Sequence, residues 1–189
     1  DDQSGFSVSL SSNGTIVAIG AIFNDGNGDS SGHVRVYQFT DGWTQLGSDI
    51  DGEANYDNSG YSVSLSSDGL TVAIGAYNND GNGSNAGHVR VYQRDATNSI
   101  GWRQLGGDID GEATGDRSGR SVSLSSNGTI VAIGAIYNSD DTGNQTGHVR
   151  VYQCSDDTNE WTQLGEDIDG EASGDLSGFS VSLSSNGLT

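Results

Sequence analysis

The chain of 189 residues has no lysine, no proline and no methionine, and a single cysteine. Each absence excludes something. With Cys154 alone, no internal disulfide can form. Cys154 is expected to be a buried, inert thiol, with pairing to another chain as the alternative. Only 7 residues are basic, all of them arginine, against 26 acidic ones, and the net charge is −19. Nucleic acid and anionic lipid both need a basic footprint, so neither is an expected partner. Such an acidic surface suits high solubility, bound divalent cations, or a matrix rich in them. No stretch approaches the roughly 18 apolar residues of a membrane helix, so no membrane insertion is expected. No signal peptide is visible and the chain begins without Met inside a motif, which reads as a mature or excised piece of something longer.

Apolar residues make up only 32%, while glycine is abundant at 30. The apolar residues nevertheless cluster in short runs, unlike those of a disordered chain. Those runs repeat. Gly5-Phe6-Ser7-Val8-Ser9-Leu10-Ser11-Ser12 returns from Gly60, Gly119 and Gly178, in steps of 55, 59 and 59 residues. A period of this size marks a repeat architecture, in which one unit cannot bury its apolar face alone and must stack on its neighbours. The boundaries read as a single array over 1–189, with repeats 2–56, 57–115 and 116–174 and a partial repeat 175–189.

Within a repeat, Phe6, Val8 and Leu10 alternate with Ser7, Ser9 and Ser11, the period of a strand with one apolar and one hydroxyl face. Asn13-Gly14 follows, a hairpin signal that predicts a type I′ turn. Thr15 to Ala21 is a more fully apolar strand, as expected nearer a core. After a polar loop from Asn24 to Gly32 come a third strand, His33 to Gln38, and a fourth, Trp43 to Gly47. Asp49 to Ala54 crosses to the next repeat. No segment has helical periodicity. The expected fold is all-β: a β-propeller-like array of four-stranded antiparallel blades, about three blades plus partial blades at the ends. Trp43, Trp102 and Trp161, and Tyr37, Tyr92 and Tyr152, recur at equivalent positions and are expected to pack between blades, with sugar stacking as the alternative.

Gly5-x-Ser7-Val8, then Ala18-Ile19-Gly20-Ala21, then Gly32-His33-Val34-Arg35-Val36-Tyr37 resembles an FG-GAP repeat, the blade unit of integrin-α-type propellers. The likeness covers nearly the whole chain, three times over. It implies a propeller. Similar long acidic repeats occur in large secreted proteins of aquatic microbes and algae. There are departures. The family's Phe-Gly is Ser4-Gly5, and the Pro of its Gly-Ala-Pro is Ile22, Tyr77 or Ile136. The Asp-rich calcium loop that family members often carry is here only Ser11-Ser12-Asn13-Gly14, with Asp68 in repeat 2. Too few oxygens remain for Ca²⁺, which takes six to eight, so the family's metal site is not carried over.

Other positions are candidates for chemistry. Asp25, Asn27 and Asp29 alternate as calcium ligands do, and Asp80 and Asn82 repeat the pattern more weakly; repeat 3 breaks it at Ser139 to Gly143. Calcium is therefore a possible cofactor through weak candidate sites, with a solvated Asn/Asp/Gly turn as the plainer account. Asp49, Asp51 and Glu53 recur as Asp108, Asp110 and Glu112 and as Asp167, Asp169 and Glu171. If extended, each trio would form a carboxylate ladder. Arg35, Arg90 and Arg150 are expected to pin blade to blade through bidentate pairs with Asp2, Asp57, Asp116 and Asp175. His33, His88 and His148 open equivalent strands and are expected to be structural and far apart. Asn13, Asn82, Asn127 and Asn144 head N-glycosylation sequons in turns or loops. No catalytic motif of the Gly-x-Ser-x-Gly or His-Glu-x-x-His type is present, and no enzyme is expected.

These readings converge on a non-catalytic, extracellular or cell-surface structural and adhesive repeat protein. Its partial blades are expected to leave open edges that further repeats or another copy complete, in a ring, oligomer or filament. The alternative is a lectin-like or calcium-linked propeller module that binds glycans through its inter-blade loops.

Overall fold

The computed structural model describes residues 2–140 and 143–189, so Asp141 and Thr142 of the third polar loop lie outside the described residues. Three antiparallel sheets follow one another along the chain, with no helix among the described residues. The first holds β1 (Ser4–Leu10), β2 (Ile16–Ala21), β3 (His33–Phe39), β4 (Trp43–Gln45) and β5 (Ile50–Asp51), in the order β1-β2-β3-β4 with β5 also on β3. The second repeats it with β6 (Ser62–Leu65), β7 (Thr71–Ala76), β8 (His88–Arg94), β9 (Trp102–Gln104) and β10 (Ile109–Asp110). The third has β11 (Ser118–Leu124), β12 (Ile130–Ala135), β13 (His148–Cys154), β14 (Trp161–Gln163) and β15 (Ile168–Asp169). These are propeller-like blades.

The fifth strand refines the sequence reading. In blade 1 the outer strand is interrupted: β4 pairs with Tyr37 to Phe39, and β5 pairs with His33 and Val34. Between them the chain loops out at Gly47, whose φ is 73°. There the Ser48 N–H donates to the Ile100 carbonyl of the next blade (2.7 Å). The outer edge thus doubles as an inter-blade contact.

The hairpin at Asn13-Gly14 corrects the expected type I′ turn. Gly14 alone of that pair has a positive φ, 70°, and its N–H donates to the Ser11 carbonyl (2.9 Å). This is a type I turn followed by a left-handed glycine. The cause is Asn13, whose Oδ1 accepts from Ser11 Oγ (2.9 Å) and from the Thr15 N–H (3.0 Å). Those side-chain bonds hold asparagine in an ordinary conformation.

Two hydrophobic cores lie between the blades rather than within them. Ile16, Ala18, Val34, Val36 and Ile50 of blade 1 meet Leu65, Val72, Ile74 and Trp102 of blade 2. Ala73, Val89, Val91 and Ile109 of blade 2 meet Leu124, Val131 and Ile133 of blade 3. The central strands β7 and β12 are buried along their whole length because both of their faces are covered. That is why they read as continuous apolar runs.

Candidate functional site

The serines of the repeated motif stitch the seams. Ser7, Ser62 and Ser121 donate through Oγ to the carbonyls of Gly60, Gly119 and Gly178 (2.6, 2.8 and 2.7 Å). Ser9, Ser64 and Ser123 accept from the N–H groups of Leu65, Leu124 and Leu183, each at 2.9 Å. The hydroxyl face of each first strand is thus spent on the next repeat's backbone. The seam is close: a Cβ at Gly75 would stand 2.1 Å from the Gly119 carbonyl oxygen. Trp102 and Trp161 reach back, donating through Nε1 to the carbonyls of Leu46 (2.8 Å) and Leu105 (2.7 Å). Trp43 is 53% exposed, against 4% for Trp102.

Sequence reasoning missed a second seam feature. The Arg120 guanidinium lies between the rings of Tyr61 (4.6 Å) and Phe179 (4.4 Å), and Arg117 lies over Tyr77 (5.4 Å) and Tyr137 (5.3 Å). Cation–π contacts of this kind contribute about 0.5–2 kcal/mol each. The signal was weak in sequence, because Arg120 stands where the other repeats have Phe6, Tyr61 and Phe179.

The three histidines lie at the starts of β3, β8 and β13, each in its own blade. Each faces carboxylates. His33 Nδ1 is 3.5 Å from Asp49 and 4.0 Å from Asp51. His88 Nδ1 is 3.8 Å from Asp108 and 3.9 Å from both Asp110 and Glu53. His148 Nδ1 is 3.5 Å from Asp167 and 4.0 Å from Asp169, with Glu112 in the same cluster. The expected carboxylate ladder is therefore split. Asp49 and Asp51 stay with their own blade, while Glu53 reaches the histidine of the next one.

The arginine pairing is corrected by the structure. Arg35 grips Asp49 through Nε (2.9 Å) and Nη2 (2.7 Å), and Arg150 grips Asp167 through Nε (2.7 Å) and Nη2 (2.6 Å). Arg150 also contacts Glu112 of the preceding repeat. Arg90 instead takes Glu53 (3.2 Å) and the Asp51 carbonyl (2.9 Å), both of the preceding repeat. The anticipated partners serve elsewhere. Asp57, Asp116 and Asp175 accept from the N–H groups of Ala54, Ala113 and Ala172 (3.0, 2.9 and 2.8 Å), closing a turn. Asp2 accepts from Asn24 (3.0 Å). Strand register decides the pairing, because β5 and its equivalents lie directly against the start of the arginine strand.

Protonation follows these contacts. The Arg35 hydrogen bond holds the Asp49 carboxyl below its usual range, burial opposing, and the Arg150 bond does the same to Asp167. Burial, helped by Arg90 and opposed by Asp108, pushes His88 down from 6.5 to about 4. His33 and His148 are lowered by burial and by Arg35 and Arg150. Burial raises Glu53 and Asp110, and the negative charge of Asp108 adds to both, while Arg90 counteracts it at Glu53.

The proposed calcium positions lie in the polar loops. Asp25 Oδ1 accepts from the Ser30 N–H (2.7 Å) and Asp80 Oδ1 from the Asn85 N–H (2.7 Å). The amides of Asn27 and Asn82 donate to the carbonyls of Gly52 and Gly111, both at 2.8 Å. The Asp29 carbonyl accepts from the Tyr56 N–H (2.7 Å). Asp25 and Asp80 thus close their own loops, while Asn27, Asn82 and Asp29 tie the loops to the crossing segments. All four sequon asparagines are exposed, and the Asn82 amide donates to two carbonyls, Gly111 and Glu112. Cys154 is free and buried, and burial raises its thiol.

Residues 49–92 match the FG-GAP repeat. No curated protein matches the sequence. Among solved structures, the chain is similar to a Bacteroides uniformis protein with a provisional assignment as a 6-phosphogluconolactonase, at TM-score 0.54 and 15% identity, covering 86% of this chain and 40% of that one. It is similar to Kuenenia stuttgartiensis hydrazine synthase at TM-score 0.54 and 12% identity, covering 94% and 39%. A eukaryotic initiation factor aligns at TM-score 0.52 and 9% identity, covering 90% and 34%. Identities this low concern the fold alone, and the chain spans about two-fifths or less of each of these structures.

Proposed function

We propose that this FG-GAP-type array is a non-catalytic structural and adhesive repeat protein of the cell exterior, assembling by stacking further blades of the same kind on its two uncovered faces. The observation that carries this reading is the mismatch between equivalent residues. Leu10 is 58% exposed and its equivalent Leu65 is 7%; Ile168 is 58% exposed, against 5% for both Ile50 and Ile109. On one face Val17, Ile19, Tyr37 and Trp43 line an open apolar hollow. On the other, Val151, Leu164 and Ile168 line a second one beside Leu183 and Leu188. The two faces are the two halves of the seam that joins blades 1 and 2. They suit head-to-tail contact, which closes into a ring or runs on as a filament.

The repetition of the seam contacts from blade to blade supports a structural role. The acidic, lysine-free composition and the sequons support the extracellular setting. Sedimentation and electron microscopy of the concentrated protein test the assembly. Concentration-dependent oligomers, weakened by Trp43→Ser or by Ile168→Lys, are expected. A monodisperse monomer at the highest concentration would overturn the reading.

A further inference from the structure

The middle histidine has an environment that packing alone does not explain. His88 is 1% exposed, and neither ring nitrogen has a hydrogen-bond partner. Leaving a buried polar group unpaired costs about 1–3 kcal/mol. Nδ1 faces Glu53 Oε2, Asp108 Oδ2 and Asp110 Oδ1 at 3.8–3.9 Å, too far for hydrogen bonds. Nδ1 and the Glu53 and Asp108 oxygens all lie within 4.8 Å of one another. Donor atoms around a tetrahedral ion bound at about 2.0–2.2 Å stand roughly 3.3–3.6 Å apart, so a small inward movement brings these three onto one centre.

The second oxygens of two of these carboxylates are already anchored. Glu53 Oε1 is held by Arg90 (3.2 Å) and Asp108 Oδ1 by Gln104 Nε2 (2.6 Å), each leaving its other oxygen turned to the imidazole. Outer contacts that orient ligands in this way are what a metal site requires. Clusters also form at the other histidines, His33 with Asp49 and Asp51 and His148 with Glu112 and Asp167, but there an arginine takes the inner oxygen as well. Arg35 Nη2 is 2.7 Å from Asp49 Oδ2, and Arg150 Nη2 is 2.6 Å from Asp167 Oδ2. At the middle site Arg90 turns to Glu53 and the Asp51 carbonyl, and Asp108 Oδ2 stays open to the histidine.

We propose that His88, Glu53 and Asp108 bind a first-row divalent cation of the zinc class, with Asp110 beside them. One imidazole with several carboxylates suits Zn²⁺, Mn²⁺ or Co²⁺, whereas Ca²⁺ and Mg²⁺ favour all-oxygen sites. Glu53 belongs to the segment leaving blade 1, and His88, Asp108 and Asp110 belong to blade 2. The ion would therefore pin one blade to the next. The corresponding clusters at His33 and His148 bind more weakly, because their arginines compete.

Titrating the chelator-treated full chain with Zn²⁺ by calorimetry tests this. One strong site is expected, with a higher melting temperature on saturation. Asp108→Asn, at a partly exposed side chain, should weaken Zn²⁺ at least roughly tenfold while the unloaded protein still folds. His88→Gln should do the same, and if it fails to fold the Asp108 variant decides. Co²⁺ should give a visible absorption band that both variants lose. No saturable Zn²⁺ binding, meaning that water fills the cluster, would overturn the proposal. So would Zn²⁺ binding that survives Asp108→Asn and disappears in salt together with Ca²⁺ binding, which would mark diffuse attraction to the acidic surface.

Discussion

A single methyl group is enough to test the seam. Gly75 lies in β7 opposite Ser62, and the space where its Cβ would stand is filled by the Gly119 carbonyl. Gly75→Ala must push two blades apart, and overpacking of this kind costs about 3 kcal/mol or more. Gly107→Ala, which meets nothing within 4 Å, should be neutral. Chemical denaturation of both variants checks the pair, and equal midpoints would contradict the close seam. Cys154 provides a second residue-level test. It is buried, and burial raises its thiol, so thiolate is scarce at neutral pH. Alkylation of the folded protein at neutral pH should be slower than that of the unfolded chain.

At the scale of the element, the first strand of each repeat is a two-faced connector. Its apolar side chains pack, and its serines bind the following repeat. The alternation Ser7-Val8-Ser9-Leu10 made the two faces legible in sequence. It did not say that the polar face would meet a neighbour's backbone rather than water. Ser64→Ala removes the acceptor of the Leu124 N–H, and an unpaired N–H at a buried leucine costs about 1–3 kcal/mol. Ser182, the equivalent in the partial repeat, is exposed, so Ser182→Ala should have no measurable effect. Thermal denaturation separates the two, and similar melting temperatures would argue against the serine seam.

For the whole molecule, stability comes from nearest neighbours, as in other stacked arrays. The blades share cores across two seams, and only blade 2 has complete blades on both sides. Hydrogen exchange should therefore protect the amides of β7 and β8 most and those of β4 and β14 least. Uniform protection across the blades would mean that the array unfolds as one unit. Further blades on the open faces should slow exchange in the outer sheets first.

Sequence alone determined the period, the all-β class, the strand order and the apolar faces, because these depend on local alternation and spacing. It also located the residues of the histidine clusters, since His88, Asp108 and Asp110 stand at repeated positions. Only the tertiary structure decided who meets whom. Arg35 finds Asp49 rather than Asp2 because β5 lies beside the start of β3, and Glu53 leaves its neighbours Asp49 and Asp51 to join His88 in the next blade. Such partners are far apart in sequence, and strand register with blade stacking alone brings them within reach.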